Sequence, residues 1–137
     1  MDSFGSVEIK MLWLSVVLGL GQLVLTTLFS VGTRGLPWGM SVRDEPAPPL
    51  GKIGARSERA FRNFIETFVF FLGAVAIASH LGKLGAWTAL GAQIYFWSRL
   101  AYVPAYLFAI PVLRTALWTA SLAGIALVLI YGVWPQA

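Results

Sequence analysis

Arg59, Asn63 and Glu66 stand at i, i+4 and i+7 in the stretch RSERAFRNFIETFVFF, residues 56 to 71, so a helix would carry all three on one face. A second set, Arg99, Tyr102 and Tyr106, is spaced i, i+3 and i+7 in YFWSRLAYVPAY, and IPVLRTALW adds Arg114 shortly after Pro111. Three arginines can hold carboxylates through paired, charge-assisted hydrogen bonds, while Glu66 and Asn63 can accept from an ammonium and from peptide N–H groups. The ligand that suits such a set is a small peptide-like zwitterion with more carboxylate than amine.

These residues need elements that hold them at one level, and composition says what those elements are. Of the 137 residues, 58% are hydrophobic and 12% charged, against about 25% charged in soluble domains. Such a chain is an integral membrane protein, read as one all-α domain over residues 1–137. Four apolar segments approach the roughly 20 residues that a bilayer core requires, at about residues 11–31, 59–81, 84–109 and 112–133. The first is too long for the core of a signal peptide and ends without a clear cleavage site, so it is expected to be retained. The polar stretch GTRGLPWGMSVRDEPAPPLGKIGARSE, residues 32–58, reads as a partly ordered loop. Short connections, HLGKLG and AIP, make the last three helices an up-down series, with the first packed alongside as a four-helix bundle.

Arg34, Arg43, Lys52, Arg56, Arg59, Arg62, Arg99 and Arg114 fall on one side of this arrangement and only Lys10 and Lys83 on the other. The bias predicts a cytoplasmic 32–58 loop and both termini on the opposite side. It also accounts for the net charge of +4 without nucleic acid. The three polar stripes then meet near the cytoplasmic boundary. Glu66, placed about two turns inside the second helix, is costly there unless it faces a partner or a watery cavity. Arg56 and Arg62 are expected to snorkel to the headgroups, and Gln22 to hydrogen-bond within the bundle. Glutathione fits the ligand description, with two carboxylates, one amine and a thiol. The chain has no cysteine, so a reactive thiol must arrive with a ligand. No metal cluster, phosphate loop or hydrolase triad is legible, and His80 reads as a loop residue.

The pattern R-A-x-x-N-x-x-E in RAFRNFIE, with YFWSRLAYVPAY and the following PVLR, resembles the MAPEG family of membrane-associated proteins in eicosanoid and glutathione metabolism, over roughly residues 50 to 130. The block GAQIYFWSRLAYVPAY is similar to prokaryotic members and suggests a bacterial inner membrane. The resemblance implies a homotrimer that binds glutathione as co-substrate between neighbouring protomers near the cytoplasmic face. It assigns Arg59, Asn63, Glu66, Arg99, Tyr102 and Tyr106 to glutathione binding and Arg114 to stabilisation of the thiolate, with Arg99 as the second choice for that role. Thr67 stands where several animal members carry an aromatic residue. The expected activity is conjugation of the glutathione thiolate to hydrophobic small molecules reaching the site through membrane lipid, or reduction of lipid hydroperoxides. The alternative is a non-catalytic bundle that keeps the polar network for packing or for another small anion or lipid. A transporter is a more distant third, since no internal inverted repeat is present.

Overall fold

The computed structural model describes residues 5–134; residues 1–4 and 135–137, at the ends of the expected domain, lie outside the described residues. The described chain is all helical, with α1 Val7–Arg34, α2 Leu36–Met40, α3 Lys52–His80, α4 Ala86–Leu107 and α5 Pro111–Val133. Three of these, α1, α3 and α5, are long and apolar enough to cross a membrane. The fourth expected span, α4, has the length, about 33 Å at 1.5 Å per residue, but carries Gln93, Ser98 and Arg99. Its buried face includes Ala92, Tyr95, Phe96, Arg99, Tyr102 and Ala105.

Two helix starts differ from the sequence expectation. Ser6 caps α1, its hydroxyl accepting from the Ile9 N–H, so that helix begins at Val7 and not near Met11. Lys52, not Arg59, opens α3, directly after the PAPPLG segment whose prolines break any helix upstream. Hydropathy marks where a helix meets the lipid, whereas the peptide hydrogen-bond ladder continues through polar residues beyond it. Residues 32–58 are accordingly not one loop. They contain the end of α1, the short α2 and the first turns of α3, and Glu66 sits about four turns into its helix.

The α3–α4 pair is central. Both α1 and α5 pack against it. Phe71, Ala74, Val75 and Ala78 of α3 meet Ala92, Tyr95 and Phe96 of α4, with Ile125 and Val128 of α5 and Met11 of α1 closing the core. The rings of Phe71 and Tyr95 stack with centroids 4.0 Å apart. Helices approach closely at Gly91 and Gly124, where a Cβ on Gly91 would come within 2.6 Å of the Gly124 carbonyl oxygen, and at Gly132, where a Cβ would come within 2.6 Å of that of Ala78. Small residues allow these close approaches of α5 to α4 and to α3. Gln22 departs from its expectation. It is 5% exposed, and neither atom of its amide finds a partner among the described residues.

Candidate functional site

The site is positioned by one turn and one helix pair. After Leu107 the chain reverses within Phe108, Ala109 and Ile110, where the Ala109 N–H bonds to the Tyr106 carbonyl and the Ile110 N–H to the Ala105 carbonyl. This is a Schellman closure with Ala109 in the left-handed region at φ 55°. Pro111, suited to a first helical turn, then starts α5, so Arg114 rises beside the end of α4. Arg56 fastens the same end from α3. Its Nη1 donates to the Leu107 carbonyl at 3.1 Å, so it ties two helices together instead of snorkelling to headgroups.

Arg59, Asn63, Glu66, Tyr102, Tyr106 and Arg114 line one cleft of about 430 Å³ between α3, α4 and α5. Tyr106 lies at its centre. The Arg59 Nε donates to the Tyr106 hydroxyl at 3.2 Å, and the Arg114 guanidinium lies 4.7 Å from the Tyr106 ring centroid. A phenol oxygen that accepts from Arg59 keeps its own proton to donate into the cleft. The Tyr102 ring follows at 5.6 Å, tilted by 50°.

Arg99 takes a different place from the one expected of it. It is 1% exposed and does not line the cleft. Its Nη1 donates to Asn63 Oδ1 at 2.9 Å, and its guanidinium lies 4.2 Å from the Tyr102 ring centroid and 5.8 Å from that of Phe64. It supports two cleft residues from behind. The contact also reverses the expected role of Asn63. An arginine can only donate, so the Asn63 carbonyl faces Arg99 and the amide N–H groups are left for a ligand. Glu66 becomes the carboxylate of the cleft. It is exposed, and among the described residues no cation pairs with it; the one ion pair is the loose Arg62–Glu58 contact at 3.7 Å.

Arg62, Thr115 and Trp118 also line the cleft and were missed as site residues. The signal for Arg62 was present, since it stands three residues after Arg59 and four before Glu66, on the same stripe. Thr67, in contrast, points away. It is buried, donating to or accepting from the Tyr95 hydroxyl at 3.2 Å within the core.

A bundle with three helices long and apolar enough to cross a membrane is an integral membrane protein, and one end of it carries an arginine-rich cleft. The MAPEG family model matches residues 11–134, nearly the whole chain, and the protein belongs to that family. The family includes glutathione transferases and peroxidases among other members. No curated protein and no solved structure gives a match.

Proposed function

We propose that the protein is a glutathione-dependent membrane enzyme that conjugates the glutathione thiol to hydrophobic electrophiles or reduces lipid hydroperoxides. The observation that carries this reading is the set of charges left unpaired in the cleft: Arg59, Arg114 and Glu66 face a volume of about 430 Å³ and have no counter-ion among the described residues. That volume falls within the roughly 300–1,000 Å³ of small-molecule sites. Arg59 and Arg62 would hold carboxylates, Glu66 the ammonium, and the Asn63 amide a peptide carbonyl. Bound there, glutathione supplies a sulfur nucleophile.

Arg114, fixed over the Tyr106 ring, would favour the charged form of a thiol whose ordinary pKa is about 8.5. Tyr106 would donate its free proton to the same sulfur or to a carboxylate. Arg99 would act through Asn63 and Tyr102, keeping both oriented. The exposed side of Glu66 would be covered by a neighbouring protomer in a homotrimer, and the eight basic residues at one end favour a cytoplasmic site in a bacterial inner membrane.

Calorimetric titration of the detergent-purified protein with glutathione tests the binding. Glu66→Gln and Arg59→Ala should each weaken binding roughly 10- to 100-fold, as expected for a lost charge-assisted hydrogen bond. Folded wild-type protein that takes up no glutathione at millimolar concentration would rule the reading out.

A further inference from the structure

Where α1 ends and α2 begins lies a second cleft of about 400 Å³. Thr26, Thr27 and Ser30 of α1 line it with Arg34, Trp38 and Arg43, and Glu58 closes one side, leaning toward Arg62. It shares an end of the bundle with the first cleft, because the Thr26 hydroxyl contacts that of Ser57 at 3.1 Å, two residues before Arg59. Two cations converge on one ring there. The guanidiniums of Arg34 and Arg43 lie 4.8 and 5.3 Å from the Trp38 ring centroid.

Both arginines are held by main-chain oxygens alone. Arg34 Nε donates to the Pro48 carbonyl at 2.7 Å and Arg43 Nη2 to the Gly39 carbonyl at 2.9 Å. Among the described residues no carboxylate pairs with either, and their other N–H groups have no protein acceptor. Arg43 also sits at φ 58°, a conformation that side-chain-bearing residues rarely adopt and that concentrates at functional positions. The hydroxyl of Ser30 has no partner among the described residues either.

The cleft wall is apolar beside these cations. Val31, Leu36 and Met40 complete it, and Leu36, Met40 and Val42 are exposed by 58%, 80% and 85%. A free anion has no use for such a wall, whereas an amphiphile does. We propose that this cleft holds the phosphate of an anionic phospholipid. Arg34 and Arg43 grip the phosphate oxygens, Ser30 donates to them, Trp38 marks the interface, and the acyl chains run past Val31 and Leu28 along α1.

Native mass spectrometry of the full-length protein, equilibrated in detergent with equal phosphatidylglycerol and phosphatidylcholine, tests this. Wild type should retain phosphatidylglycerol preferentially, and R34Q/R43Q should lose that preference by roughly 10- to 30-fold, the contribution of two arginines at a charged membrane surface. Arg43→Gln alone, at an exposed position, should lose roughly three- to fivefold and keeps the test open should the double variant fail to fold. Equal retention of the two lipids by wild type, or unchanged preference in both variants, overturns the proposal. Displacement by inorganic phosphate at matched concentration also overturns it and makes this a free-phosphate site. Glutathione affinity should stay within about two-fold in both variants, as for separate sites. A fall in glutathione affinity with lipid retention intact would reassign these arginines to the first cleft.

Discussion

The two ends of the bundle carry the same kinds of residue and use them differently. At the end away from the cleft, Glu8 is 2% exposed and accepts from the Thr88 hydroxyl, which in turn accepts from the Gly85 N–H at the start of α4. Lys83 Nζ donates to the Val133 carbonyl at 2.7 Å. Acid and base there are consumed by the protein's own polar groups. At the other end Glu66, Arg59 and Arg114 converge on an open volume and find a phenol, a ring face or nothing. A polar residue inside a membrane bundle therefore signals a ligand only when the protein leaves it unsatisfied; its presence alone does not distinguish Glu66 from Glu8.

The largest expected effect that would sharpen this contrast is on catalysis. Arg114→Ala should lower kcat by roughly 100- to 1,000-fold, the usual loss when a charge-stabilising group is removed, with a much smaller change in glutathione affinity. The sign of the pH dependence follows from the same charge. Under the proposed function Arg114 would lower the pKa of the bound thiol, so its removal should raise that pKa and move the rising limb of the pH–rate profile upward by roughly 1–2 units. Ultraviolet difference absorbance should show the thiolate of bound glutathione at neutral pH in wild type and lose it in the variant. Unchanged thiolate absorbance in the variant would mean that another cation of the cleft lining, Arg59 or Arg62, holds the sulfur.

Breaking the far end should have the opposite signature. Glu8→Ala removes a buried hydrogen-bond partner of the Thr88 hydroxyl, which keeps the Gly85 carbonyl as acceptor at 2.9 Å, and should destabilise the bundle by about 0.5–1.5 kcal/mol, read as a lower unfolding temperature in detergent. Glutathione affinity should be unaffected, because Thr88 and Tyr102 are separated by roughly 20 Å along α4. Loss of binding with unchanged stability would show that the two ends are coupled and that the division drawn between them is wrong.

Much of this was legible because helical spacing is a strong constraint. Arg59, Asn63 and Glu66 had to share a face, and so did Tyr102 and Tyr106, and all five line the cleft. The bundle itself followed from apolar runs and short connections. What spacing could not fix was the direction of a side chain's far end. Arg99 lies on the right helix at the right level, yet a rotamer that places it under Tyr102 takes it behind the cleft and turns Asn63 from acceptor to donor. Helix ends were hidden for another reason. Lys52 to Glu58 is polar enough to read as loop, and α2 is only five residues long, with Pro37 and Gly39 inside it.

The smallest effect concerns the two reversals that separate the ends. Both α3 and α4 finish with the same closure. The Lys83 N–H bonds to the Ala78 carbonyl at one turn and the Ile110 N–H to the Ala105 carbonyl at the other. The left-handed position is Gly82 at φ 65° in the first and Ala109 at φ 55° in the second. Only the turn beside the cleft therefore bears a Cβ in a conformation that opposes it, at the point that aims Arg114 at Tyr106. Ala109→Gly should relieve that opposition, partly offset by the greater freedom of glycine in the unfolded chain, for a net gain of about 0.5–1 kcal/mol. Thermal unfolding should show the gain. Turnover measured beside it should stay level or fall slightly, because a turn that no longer resists other backbone conformations holds Arg114 less firmly. A loss of stability would mean that the Ala109 methyl packs against something in the assembled protein, and the two turns would then differ in contacts and not in strain.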